Sequence, residues 1–243
     1  MKPSSRINGS TNGKRHTLHC LITGFDAFAN EPFNPTQAIV ESLPQRLNFK
    51  GDDVQIIVEG LVLPTCGELA WERLKHSLEH LPKQCKSVVV LTGLASFRST
   101  IGIERFALNI RDYRIKDNAG HLIMDEKIDP SGAEALRTTV DLEDLVKRMR
   151  RTGQIAEVSN YCGTFVCNEI YYQALSFQNE RLVPHALVFL HLPPPARYGT
   201  RLRKKGTRQA LKRAKGRANQ LMAMKEAVLE VGRHLGQQLI TGN

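Results

Sequence analysis

The sequence predicts an α/β fold: a single-domain α/β/α sandwich whose central twisted sheet is mixed but mostly parallel, with helices covering both faces. Three observations predict it. Strand-like and helix-like segments alternate from Leu18 to Thr92. Val88-Val89-Val90-Leu91 is a continuous apolar run, as a strand covered on both faces requires. No internal repeat or linker divides the 243 residues, a length that buries a substantial core. With 41% hydrophobic and 24% charged residues, the disordered and low-complexity classes are excluded.

Residues 1–16 are polar and basic, and are expected to form a disordered tail before a single domain over 17–240. Leu18 to Thr23 reads as a short buried strand, and Gly24 opens a loop through Asn34-Pro35 to a helix over Thr36 to Leu43. Val54 to Leu63 alternates as a strand does. Trp71, Leu74, Leu78 and Leu81 recur at helical spacing within Gly67 to Leu81, and Ser87 to Thr92 is the next strand. Ile101 to Ile110 is expected to be one further strand, and Asp117-Asn118-Ala119-Gly120 a turn. Asp141 caps a helix with the stripe Leu142, Leu145, Val146 and Met149, ending before Gly153. A helix over Cys167 to Leu175 is entered through Gly163-Thr164, and the strand Ala186 to Leu190 stops at His191-Leu192-Pro193. The last helix, over about 207–240, carries Leu221, Met224, Val228, Val231 and Leu235.

Five cysteines cannot all pair and show no zinc-like spacing, so they are read as reduced thiols. No apolar run approaches the ~20 residues of a membrane helix, and no apolar stretch follows the charged start to make a secretory signal. A cytoplasmic location without a membrane span is therefore expected. The net charge of +10 is local: ten basic residues and no acidic one lie between Arg197 and Arg217. A run of this kind is a solvated face or a non-specific contact for nucleic acid or another polyanion.

Candidate chemistry centres on Cys167. A cysteine in the first turn of a helix, after a glycine-containing loop, has backbone N–H groups and the positive dipole end near its sulfur. Both favour a thiolate and provide donors for an oxyanion. A buried structural thiol is the alternative, and position alone leaves both open. His191 ends an apolar strand at the carboxyl edge of the sheet, where sites of open α/β folds lie. It is either the imidazole such a thiol needs or a strand-end histidine bonded to backbone. Glu104, between apolar neighbours, is either the carboxylate that orients that imidazole or a surface partner of Arg105. His76-Ser77-Leu78-Glu79-His80 satisfies the pattern HxxEH of some zinc peptidases. The apolar stripe of its helix, however, turns His76 and His80 toward solvent.

Together these segments resemble the pyroglutamyl-peptidase I family of cysteine exopeptidases over roughly 17–195. Gly24-Phe25-Asp26-Ala27-Phe28 with Asn34-Pro35 resembles the family's GFxPF…NP loop, and Gly93 to Asn109 aligns without a gap on GQAGGR…ERxALN. Arg114 to Gly120 is similar to its RIPDNxG turn, Gly163-Thr164-Phe165-Val166-Cys167-Asn168 matches its nucleophile signature, and His191-Leu192-Pro193 its histidine motif. The resemblance implies Cys167 as nucleophile, His191 as base and acid, and Glu104 as orienter. It places the substrate pocket at Phe25, Phe28, Asn34, Leu94, Ile115, Phe165, Val166 and Ile170, with Arg114 nearby. It implies hydrolysis of an N-terminal pyroglutamyl residue from peptides through a thioester, with no metal or organic cofactor, in a homotetramer or dimer. Departures are Leu94 for a glutamine, Ser96-Phe97 for two glycines, Tyr161-Cys162 for a small pair, and Glu169 for a histidine. A peptidase-like protein with altered activity, binding polyanions through 197–217, is the competing reading.

Overall fold

Alternating side chains on strand β1 (His16–Phe25) establish both faces of the main sheet: Leu18, Cys20 and Ile22 enter one apolar core, Leu21 and Phe25 the other. The computed structural model describes residues 16–28, 32–48, 54–200 and 216–242. The remaining strands are β2 (Arg46–Asn48), β3 (Val54–Leu63), β4 (Lys86–Leu94), β5 (Ile101–Glu104), β6 (Phe106–Leu108), β7 (Ala135–Arg137), β8 (Ala156–Ser159) and β9 (Ala186–Leu192). The helices are α1 (Pro35–Glu41), α2 (Gly67–Glu79), α3 (Leu142–Arg151), α4 (Val166–Arg181) and α5 (Arg217–Thr241). Seven strands form one sheet in the order β2-β3-β1-β4-β9-β5-β8, and β6 and β7 pair apart from it.

The expected mixed, mostly parallel sheet is what forms. β3, β1, β4 and β9 run parallel; β2 is antiparallel to β3, and β5 antiparallel to β9. Ile39 of α1, Leu145 of α3 and Val228 of α5 belong to one core, Leu74 of α2 and Ile170 of α4 to the other, so helices cover both faces. Local signals set several boundaries. Asn34 caps α1 by accepting from Thr36 N (3.0 Å), and Asp141 caps α3 by accepting from Glu143 N and Asp144 N (both 3.1 Å).

Four expectations need correction. The single strand expected over Ile101 to Ile110 breaks at Arg105, whose N–H donates to Ser159 O (2.7 Å) and whose carbonyl accepts from Thr138 N (3.2 Å). β5 stays in the main sheet while β6 leaves to pair with β7. α4 begins one residue earlier than expected and extends to Arg181. Its buried set includes Asn168, Glu169 and Gln178, so no polar face marks its length in the sequence. His191 lies inside β9 rather than beyond it, and His16 already belongs to β1 rather than to a tail.

The short strands β2, β7 and β8, of three or four residues, carry no period to detect. Residues 1–15, the expected helical residues 207–215, and the basic run between Arg201 and Lys215 lie outside the described residues. No helix among the described residues is long and apolar enough to cross a membrane.

Candidate active site

Strand register brings the site together. His191 on β9 is paired with Gly93 of β4 on one side and with Gly102 of β5 on the other. Neighbours in register point to the same face, so both flanks of the imidazole lack side chains of their own. Other groups fill the two gaps. A Cβ on Gly93 would lie 2.8 Å from Cys167 Sγ and 2.9 Å from the Phe189 ring, whereas one on Gly102 would collide with the Arg98 guanidinium. The sulfur therefore sits over the strand position adjacent to His191, and the guanidinium over the position beyond it.

Glu104 ends β5 on the same face, entirely buried. Its Oε1 lies 2.8 Å from His191 Nδ1 and accepts from Arg98 Nη2 at 3.1 Å, while Oε2 has no hydrogen-bond partner. Arg98 also donates to Ser159 Oγ (2.7 Å). Of the two readings of Glu104, the surface pair with Arg105 does not form: Arg105 binds Glu143 instead (2.7 Å). The carboxylate thus meets the Nδ1 edge of the imidazole and fixes its orientation.

Cys167 is the second residue of α4, after Phe165 at the N-cap and Gly163 at φ 87°, a turn suited to glycine. The first intrahelical bonds come from Asn168 N (2.9 Å) and Glu169 N (3.2 Å), both to Phe165 O. The N–H groups of Val166 and Cys167 precede them. The helix start was expected to favour a thiolate, but burial outweighs it. Burial pushes the Cys167 thiol from 9.0 up to about 12, the Glu104 charge adds to this, and the residue's own N–H opposes it.

Cys162 is buried within the site. Its Sγ, a Glu104 oxygen and a His191 nitrogen all lie within 4.8 Å of one another. Burial first, then the neighbouring Glu104 and Cys167, push its thiol well above the usual range. Glu169 turns away from the site. Its Oε2 accepts from Tyr113 Oη, and its Oε1 accepts from Gln173 Nε2 (3.2 Å) and lies 3.7 Å from Arg111 Nη1. On α2, His76 and His80 are exposed on the solvent side, as the apolar stripe implies.

A cavity of about 490 Å³ opens onto Cys167 and His191. Phe25, Phe28, Phe165 and Val166 line it, as do Leu94, Ile115 and Arg114. The Phe165 ring lies 6.0 Å from that of Phe28 and meets the Tyr113 ring edge-on at 4.7 Å. Asn34 also lines the cavity, but its side chain is engaged in capping α1 and in donating to Asp26 O (2.9 Å). Ile170 is a correction: one turn along α4 the helix has left the cavity, and this side chain is fully buried in the core. The turn at Asp117 forms as expected, with Gly120 N donating to Asp117 O (3.0 Å). Asn118 then ties that turn to Ala27 O (2.9 Å), joining the segments that carry Ile115 and Phe28.

Sequence reasoning missed the role of Arg98 and of the two glycines, because only strand register places them beside His191. A glycine at a strand end facing a nucleophile signature would have been the nearest available signal.

Residues 18–201 match the family model described as pyroglutamyl peptidase. A pyrrolidone-carboxylate peptidase of Pseudomonas fluorescens is 37% identical over 180 residues, 71% of this chain and 77% of that protein. One from Pyrococcus furiosus is 35% identical over 72% of this chain and 81% of its own. Among solved structures, the pyrrolidone carboxyl peptidase of Thermococcus litoralis superposes with a TM-score of 0.73 at 28% identity, covering 93% of this chain and 96% of that one. A mutant pyrrolidone carboxyl peptidase from P. furiosus gives 0.71 at 30% identity, covering 89% and 98%.

Proposed function

The chain belongs to the pyroglutamyl peptidase family of cysteine peptidases, and on that premise we propose that it hydrolyses N-terminal pyroglutamyl residues from peptides through a Cys167 thioester. One observation carries the assignment of roles. The Cys167 sulfur fills the gap over Gly93 beside His191, whose Nδ1 is held 2.8 Å from a buried carboxylate.

Burial keeps Cys167 a thiol at rest, so the nucleophile forms when its proton passes to His191 Nε2. Glu104 favours that transfer because the imidazolium lies against its carboxylate. The sulfur attacks the pyroglutamyl carbonyl, and the oxyanion lies against the N–H groups that open α4. His191 returns the proton to the departing amine, and then removes one from the water that cleaves the thioester. Phe25, Phe28 and Phe165 suit a flat, neutral lactam, whereas the ammonium of an unblocked N-terminal residue would be desolvated against these rings.

The test is release of a fluorophore from its pyroglutamyl amide, beside the proline, glutamine and alanine amides, with Cys167→Ala as control. Selective turnover of the pyroglutamyl amide that disappears in the variant supports the assignment. Equal turnover of all four amides, or full activity in the variant, overturns it.

A further inference from the structure

The cavity is larger than a five-membered lactam needs, and its mouth is apolar. Among the described residues, Phe97 and Tyr161 are large side chains left 80% and 55% exposed, and both line the cavity that holds Cys167. Contiguous exposed apolar surface of this kind marks a contact site.

Strand order tells which part of a substrate they meet. Phe25 ends β1, Cys167 stands over β4 and His191 lies one residue before the end of β9, in that order across the parallel strands, while Tyr161 adjoins Cys162, whose sulfur lies within 4.8 Å of a His191 nitrogen. Phe97 lies in the loop that carries the chain from β4 across β9 to β5. The lactam is held on the β1 side of the sulfur, so the departing amine lies on the β9 side, next to the imidazole that protonates it. The residue bearing that amine then projects its side chain toward Phe97 and Tyr161.

Phe97 is braced before any ligand arrives. The Arg98 guanidinium lies 5.7 Å from the Phe97 ring centroid. The loop is tied down by Ala95 N to Leu192 O (2.9 Å) and by Arg197 Nη1 to Ser96 O (2.8 Å). Arg98 itself is committed to Glu104 and Ser159, so a charged side chain entering here finds no free counter-ion in it.

We propose that Phe97 and Tyr161 form a subsite for the side chain of the residue that follows pyroglutamate, and that it selects a large apolar or aromatic residue there. This rests on the peptidase reading above.

The experiment compares kcat/KM for four pyroglutamyl peptides that differ only in that residue: phenylalanine, leucine, alanine and aspartate. The phenylalanine and leucine peptides are expected to exceed the alanine peptide by about tenfold and the aspartate peptide by more. In Phe97→Ala, and separately in Tyr161→Ala, the ratio of the phenylalanine to the alanine peptide falls toward one. Both side chains are exposed, so neither substitution threatens the fold. Turnover of all four at equal kcat/KM, or an unchanged ratio in both variants, overturns the subsite alone. No turnover of any of the four overturns the peptidase reading and the subsite with it.

Discussion

Two buried carboxylates flank the start of α4, and their surroundings make opposite use of the same group. Glu104 presents Oε1 to Arg98 and to the His191 imidazole, and its Oε2 has no partner. Glu169 is enclosed by Tyr113, Gln173 and Arg111, with both oxygens engaged. Burial holds the Glu169 carboxyl above its ordinary value, against the opposing pull of Tyr113 and Arg111. Burial beside an arginine thus does not distinguish a catalytic carboxylate from a structural one. The distinction lies in whether the charge faces a group that can carry a proton into the cavity.

The largest expected effect falls on catalysis: Glu104→Gln should lower kcat/KM by roughly 10²- to 10⁴-fold, the usual range of a general acid–base contribution, while the amide oxygen that still accepts from Arg98 limits the fall in melting temperature. A steady-state assay with a thermal melt measures both. A large loss of stability with intact turnover would make Glu104 the structural member of the pair.

Next comes the gap that holds the nucleophile. Gly93→Ala places a methyl 2.8 Å from Cys167 Sγ, and displacing the sulfur should reduce kcat by about 10²-fold. Trapping the thiol with iodoacetamide in the variant checks whether the sulfur has moved rather than been lost. An unchanged kcat would show that the site has slack that this register does not suggest.

On the other side, Glu169→Ala strands Tyr113 Oη, while Arg111 keeps Glu126 (3.3 Å), and should cost about 1–3 kcal/mol of stability while the folded fraction turns over substrate within a few-fold of the parent. Urea titration followed by an assay of the folded protein separates the two effects. If kcat falls as far as in Glu104→Gln, the contrast between the carboxylates fails.

The smallest effect is a dependence of stability on pH. Burial pushes Cys20 and Cys167 from 9.0 to about 12, so the folded chain keeps protons that the unfolded chain releases near 9.0. The contribution of these thiols to the unfolding free energy should therefore be level below about pH 8 and decline as pH rises from 9.0 toward 12. Urea midpoints at about pH 7 and about pH 10 measure it, and a midpoint that rises with pH contradicts it.

The parts of the site legible in the sequence were those written in consecutive residues. The run Gly163 to Asn168 places a cysteine in the first turn of a helix wherever that segment lies, because cap and dipole are local. Asp141 declared its cap for the same reason. The strand containing Ile101 looked continuous because its break at Arg105 is made by bonds to Ser159 and Thr138, which are distant in sequence. α4 looked short because its polar residues are buried against other elements instead of facing water.

By itself, then, the sequence determined the alternation of strands and helices, the family resemblance and the cap at Asp141, and it singled out Cys167, His191 and Glu104 as candidates, all of which rest on neighbours along the chain. Tertiary structure alone decided that Gly93 and Gly102 flank His191, that Arg98 rather than Arg105 meets Glu104, and that Ile170 leaves the cavity. It also decided that Cys167 rests as a thiol, because desolvation and charge depend on what surrounds an atom in space, and that is set by strand register and burial.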